Sequence, residues 1–146
     1  LKDKKAFSET IRLFFNRHKN NKIDKVVGIE ARGFIFGASL AKEMECGFVP
    51  IRKPNKLPHE TFSQKYSLEY GKGSLEIHKD AIDQKDNVLL IDDVLATGGT
   101  ACASIDLLKK FNCSIQECLF LIEIAFLKGS NKIFNKKEKC FSLLKV

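Results

Sequence analysis

Hydrophobic positions along this chain fall into short unbroken runs separated by amphipathic stretches, the alternation expected of strands and helices in turn. Lys4 to Lys19 carries Ala6, Phe7, Ile11, Leu13, Phe14 and Phe15 at helical spacing, with Arg12, Arg17 and Lys19 on the outer side. An amphipathic helix is expected there, ended by Asn20-Asn21-Lys22. Val26 to Ile29 then reads as a short strand and Glu30-Ala31-Arg32-Gly33 as a turn. Phe34 to Met44 reads as a helix whose Gly37, Ala38 and Ala41 allow close packing on a sheet. Cys46-Gly47 stops it, and Phe48 to Ile51 is the next strand. Strand, helix and strand in that order make a βαβ unit, which favours a parallel sheet.

The stretch Arg52 to Gln64 changes character. It is polar, holds two prolines and carries Arg52, Lys53, Lys56 and His59. A long irregular loop in a compact chain is usually functional or disordered. Tyr66 to Tyr70 and Ser74 to Ile77 alternate in polarity around Gly71-Lys72-Gly73 and read as a hairpin. Val88 to Ile91 is apolar at every position, as in a strand buried on both faces. It runs into Asp92-Asp93, then into the small-residue turn Ala96-Thr97-Gly98-Gly99-Thr100, with a helix expected from Thr100 to Phe111. Cys118 to Phe126 is another strand, interrupted only by Glu123. Lys128 to Lys139 is a helical or looped surface segment, and Phe141 to Val146 adds an edge strand. The fold class expected is α/β, a mainly parallel sheet flanked by helices with a hairpin beside it, in one domain spanning residues 1–146.

Composition narrows the function classes. The 146 residues suit one domain with a sizeable core, and no apolar run approaches the roughly 18 residues of a membrane span. Five cysteines, an odd number with no CxxC pair, point to reduced thiols in a cytoplasmic protein and away from a zinc site or disulfide framework. The net charge of +7 is spread along the chain with acids interleaved, and the phenylalanines lie inside apolar runs. That pattern describes a basic surface favouring small polyanions, not a nucleic-acid interface.

The candidate chemistry sits after three strands. GxxxxGK[ST], GxGxxG and GxSxG are all missing. His18 on the polar side of its helix, His59 in the loop and His78 after a strand read as surface residues. What remains is Glu30-Ala31-Arg32-Gly33, Arg52-Lys53, and the acid pair with its threonine-glycine turn. In open parallel sheets, ligands bind in the crevice at strand carboxyl ends. Backbone N–H groups and hydroxyls at Thr97 to Thr100 form an anion cradle, beside two acids able to grip hydroxyls. Two anion sites and one hydroxyl-binding acid pair match a sugar carrying phosphate at one end and pyrophosphate at the other.

Leu89 to Ala101 resembles the phosphoribosyl-pyrophosphate signature of the type I phosphoribosyltransferase family. Val27-Gly28-Ile29-Glu30-Ala31-Arg32-Gly33-Phe34, Ile51 to Pro58 and Tyr66-Ser67-Leu68-Glu69-Tyr70-Gly71 resemble its adenine-specific branch, in the right order and spacing. The resemblance implies purine salvage: adenine plus phosphoribosyl pyrophosphate gives AMP plus pyrophosphate. It implies magnesium held mainly through substrate and water, and a homodimer with the Arg32 turn near its interface. Ala96, Thr97, Gly98, Gly99 and Thr100 would hold the 5′-phosphate, and Asp92 and Asp93 the ribose hydroxyls. Arg32, Arg52, Lys53 and Lys56 would neutralise pyrophosphate, with Glu30 and Ala31 carrying the family's non-proline cis peptide. The segment from Lys56 to Tyr70 would close over the site, Glu69 meeting the purine at N7, Tyr70 ordering the closed loop and Ile124 packing on the base. Members also have an N-terminal segment that forms part of a hood over the base, and the sequence here starts after it. Two alternatives stay open at this level: another purine base, or a non-catalytic regulator of the same fold.

Overall fold

Five strands, all parallel, form the frame on which the site is mounted. They are β1 (Lys25–Ile29), β2 (Gly47–Ile51), β5 (Asn87–Leu95), β6 (Ser114–Glu123) and β7 (Cys140–Lys145), in the order β2-β1-β5-β6-β7. A separate antiparallel hairpin pairs β3 (Thr61–Leu68) with β4 (Gly71–His78). The structure is a computed structural model and describes residues 1–68 and 71–146. The expected sites Glu69 and Tyr70 therefore lie outside the described residues.

The central strand shows why the sheet is covered on both sides. Val88, Leu89, Leu90 and Ile91 are each 0% exposed. Val88 and Leu90 join one core cluster while Leu89 and Ile91 join the other, as the two-residue period of a strand requires. Burying side chains of this size contributes about 1.5–3 kcal/mol each. Helices α1 (Lys4–His18) and α2 (Arg32–Glu43) supply Phe14, Phe36 and Leu40 to the Leu89 face. Helices α3 (Gly99–Lys109) and α4 (Gly129–Asn135), with Leu75 and Ile77 of the hairpin, cover the Val88 face. Asp3 starts α1 by accepting a hydrogen bond from Ala6 N at 2.8 Å.

Four expectations are corrected. The hairpin begins at Thr61 rather than Tyr66, because Phe62 stacks edge-on against Phe111 of the main body, ring centroids 5.2 Å apart. Gly71-Lys72-Gly73 is not its turn but part of β4, where Gly73 pairs with Tyr66 and leaves room for the ring: a Cβ there would lie 2.7 Å from Tyr66 Cζ. His18 is not a surface residue. It is 5% exposed, its Nε2 lies 2.9 Å from Glu117 Oε2, and Arg17 donates Nε and Nη2 to the same carboxylate at 2.6 and 2.7 Å. Arg17, expected on the outer side, also lies over the Phe141 ring at 3.8 Å. These contacts dock α1 on the amino ends of β6 and β7.

Candidate active site

The strand order places a crevice between β1 and β5. From β1 the chain passes through α2 to β2 on one side, and from β5 through α3 to β6 on the other. The two helices cover opposite faces, so the carboxyl ends of β1 and β5 part and leave an opening. Gly28 pairs with Ile91, which sets the residues after Ile29 beside Asp92 and Asp93. β5 runs on to Leu95, so both acids belong to the strand and not to the turn after it.

Arg32 Nε donates to Asp93 Oδ2 across this opening. Asp93 N in turn donates to Asp92 Oδ1 at 2.8 Å. Gly33, at the start of α2, presses on the same strand. A Cβ there would meet Ile91 O at 2.8 Å and Asp92 Oδ1 at 3.0 Å, so only glycine lets the helix approach so closely. Burial pushes Asp92 up to about 7; the Asp93 N–H opposes that rise and the Asp93 charge reinforces it. The peptide Glu30–Ala31 is cis, as the family resemblance implies, and Ala31 stands at the N-cap of α2.

Beside the acids, the turn Ala96 to Thr100 leads into α3. Gly98 is its N-cap at φ +80°, a left-handed conformation natural to glycine, and no side chain caps the helix. The first-turn N–H groups have no intrahelical acceptors and point out of the helix end. A concavity of about 90 Å³ opens there, lined by Asp92, Ala96, Thr97, Gly98, Gly99 and Thr100 among others. The turn is backed by the start of α4. A Cβ on Gly129 would lie 2.2 Å from Ala96 O, and one on Gly98 would lie 2.7 Å from Gly129 O. Gly129 gave no signal in the sequence, because its neighbour is 33 residues away in a different loop.

A second cationic segment follows β2. Glu30 Oε2 accepts from Lys53 N at 2.8 Å and from Arg52 Nε at 3.3 Å. Burial would raise the Glu30 carboxyl, but these two donors bring it below its ordinary value. Arg52 Nη1 also donates to Lys56 O at 3.3 Å, drawing the loop round. The hairpin approaches the turn from the other side, with Ser67 O 3.5 Å from where a Gly99 Cβ would stand. Ile124 follows the end of β6 directly and its N–H donates to Leu95 O at 2.9 Å, so it borders the same rim. His59 and His78 lie apart from this rim, their rings 5.7 Å from each other.

The structure thus brings Glu30, Arg32, Arg52, Lys53, Asp92, Asp93, residues 96–100 and Ile124 to the carboxyl rim of one sheet. A phosphoribosyl transferase domain model matches residues 1–145. The adenine phosphoribosyltransferase of Desulfosudis oleivorans is 49% identical over 144 residues, covering 99% of this chain and 82% of that protein. The enzyme of the same name from Psychromonas ingrahamii is 54% identical over 140 residues, covering 96% and 77%. The crystal structure of adenine phosphoribosyltransferase from Thermoanaerobacter pseudethanolicus superposes with a TM-score of 0.94 at 46% identity, covering 99% of this chain and 83% of that one. The Saccharomyces cerevisiae enzyme, complexed with an imino-altritol bisphosphate and adenine, superposes at 0.90 with 40% identity, covering 97% and 81%. These likenesses resolve the alternatives left by the sequence in favour of the adenine-specific branch. The chain belongs to the adenine phosphoribosyltransferases, purine-salvage enzymes of the type I phosphoribosyltransferase family.

Proposed function

We propose that the transfer of the phosphoribosyl group from phosphoribosyl pyrophosphate to adenine is carried out by the residues gathered on this rim. The observation that carries the assignment is the meeting of the Asp92–Asp93 pair, the uncapped start of α3 and the Arg32 turn at the strand-order switch between β1 and β5. The 5′-phosphate binds the N–H groups and hydroxyls of Ala96 to Thr100. Asp92 and Asp93 accept hydrogen bonds from the two ribose hydroxyls. As the C1′–O bond to pyrophosphate breaks, the ring gains positive charge, and the two carboxylates stabilise it electrostatically. N9 of adenine then bonds to C1′ and its proton is lost to solvent or product. Arg32, Arg52, Lys53 and Lys56 hold the departing pyrophosphate, the arginines through paired N–H donors. Glu69 hydrogen-bonds the base at N7, Tyr70 orders the lid and Ile124 packs on the ring.

Magnesium fits this donor set as a substrate-borne ion. Among the described residues, no three His, Cys, Asp or Glu side chains converge as ligands. A small hard cation that keeps several waters and takes its other oxygens from phosphates needs no such cage. When bound, it neutralises charge on the pyrophosphate. We also propose a homodimer with the Arg32 turn near the interface, supported by Ile35, which is 43% exposed one helical turn beyond Arg32. No helix among the described residues is long and apolar enough to cross a membrane. The unpaired thiols of all five cysteines support a reducing, cytoplasmic setting.

The test is a pyrophosphate-release assay with adenine, hypoxanthine, guanine and xanthine in turn. Turnover with adenine alone is expected. Turnover confined to an oxopurine would overturn the base assignment, and nucleic-acid binding without turnover would favour a regulator.

A further inference from the structure

Glu76 has no part in the site as described, yet it holds a segment that does. Its neighbours Leu75 and Ile77 are 3% and 0% exposed, so β4 is anchored in the core on either side of it. Glu76 stands on the opposite face of the strand, on a firm mount. Its backbone makes a two-bond antiparallel bridge with Arg52. Arg52 N donates to Glu76 O at 2.9 Å, and Glu76 N donates to Arg52 O at 2.7 Å. Its side chain reaches further along the same loop, where Oε2 accepts from Asn55 N at 3.1 Å. Asn55 sits at φ +62°, a left-handed conformation uncommon in any residue but glycine.

The segment 52–55 is therefore gripped by two carboxylates. Glu30 takes the N–H of Lys53 from the β1 side, and Glu76 takes the N–H of Asn55 from the hairpin side. Both donors lie beyond the bridge at Arg52, where a backbone N–H otherwise falls to water. We infer that Glu76 is a positioning residue for pyrophosphate: its carboxylate fixes the left-handed turn at Asn55, and that turn aims Lys53 and Lys56 while the backbone bridge aims Arg52. The inference rests on the reading of Arg52, Lys53 and Lys56 as pyrophosphate ligands. It also ties the foot of the hairpin to the pyrophosphate segment, so that lid and leaving-group site share one anchor.

Binding of magnesium pyrophosphate is measured by calorimetry for the unaltered protein and for Arg52→Ala, Glu76→Ala and Glu76→Gln, together with KM for each substrate. Glu76→Ala is expected to weaken pyrophosphate and raise KM for phosphoribosyl pyrophosphate about tenfold, the scale of one hydrogen bond to a charged group. KM for adenine should stay within about twofold on the same scale. Glutamine keeps an acceptor oxygen at the same reach, so Glu76→Gln should restore most of the affinity. Unchanged pyrophosphate affinity in Glu76→Ala, with Arg52→Ala weakened, overturns the inference and leaves the site reading intact. Unchanged affinity in Arg52→Ala removes the site reading itself. Equal loss in the glutamine and alanine variants also overturns the inference, because the carboxylate would then act by charge and not by holding Asn55. Should Glu76→Ala fail to fold, Glu76→Asp, one methylene short of Asn55, takes its place in the comparison.

Discussion

Arg32 and Asp93 close an ion pair across the opening between β1 and β5, although each is assigned to a different group of the same substrate. With the guanidinium assigned to pyrophosphate and the carboxylate to ribose, substrate binding in the proposed reaction exchanges both partners. The exchange costs little. The Arg32 side chain is 67% exposed, and pairs of that kind contribute about 0–1 kcal/mol to folding. Asp93→Asn should therefore leave the melting temperature almost unmoved while lowering kcat about 100-fold, the scale of removing one preorganised electrostatic group. A coupled AMP assay and a thermal melt on the same sample check both halves. An unchanged kcat would remove Asp93 from the mechanism.

Asp92 makes activity and stability respond to pH in opposite directions. With its folded value raised to about 7 by burial, the native protein holds a proton that the unfolded chain, near the ordinary value of about 3.9, has already released. Stability attached to Asp92 is thus greatest at low pH and falls as pH rises from about 4 to about 7. Asp92→Asn removes that dependence, so its melting temperature should gain on the unaltered protein between about pH 4 and about pH 7. Turnover should rise over the same range in the unaltered protein, as the carboxylate assigned to the ribose ionises. Parallel melting curves for the two proteins at all pH values would contradict this.

The backing of the phosphate turn by α4 predicts a remote effect. Gly129→Ala sets a methyl 2.2 Å from Ala96 O and 3.1 Å from Gly98 N, both backbone atoms with no freedom to swing aside. It should cost about 1–3 kcal/mol by overpacking. It should also raise KM for phosphoribosyl pyrophosphate more than KM for adenine. Steady-state kinetics with each substrate varied in turn will show whether the turn is displaced.

Glu117 should behave as a stability element with no share in catalysis. Burial would raise its carboxyl, but Arg17 and His18 outweigh that and hold it at about 2. The stability it contributes is present above the ordinary carboxylate value of about 4.3 and is lost as pH falls from there towards 2. Glu117→Gln should lose about 3 kcal/mol at pH 7, as when one partner of a buried ion pair is removed. The difference from the unaltered protein should shrink below pH 4, and kcat of the folded fraction should not change. Urea melts at pH 7 and pH 3.5 test it.

Much of this was legible along the chain because the signals were local. Val88 to Ile91 announced a strand buried on both faces by being apolar throughout, and the acids and glycines after it stand at its carboxyl end as expected. Gly37 was read as a close-packing position, and a Cβ there would indeed meet Phe48 at 2.8 Å. What stayed hidden depends on partners far away in sequence. His18 sits on the polar side of its own helix, and only Glu117, 99 residues later, makes that side an interior one. Thr61 to Gln64 looks like loop until Phe62 finds Phe111. Gly73 looks like a turn residue until the register sets it opposite Tyr66. Arg32 and Asp93 both stand at the rim, but a single sequence holds nothing to say that they face one another.

The polarity of the sheet gives the molecule a working end and a handling end. Among the described residues, the groups assigned to the reaction lie where the parallel strands finish, while the cluster that docks α1 lies where β6 begins. Lys19, Asn20, Asn21 and Lys22, exposed just after α1, share that second end. A dye, an affinity handle or a surface tether placed there would stand a full strand length from the chemistry, so the protein can be immobilised or labelled through this loop with its substrate mouth facing outward.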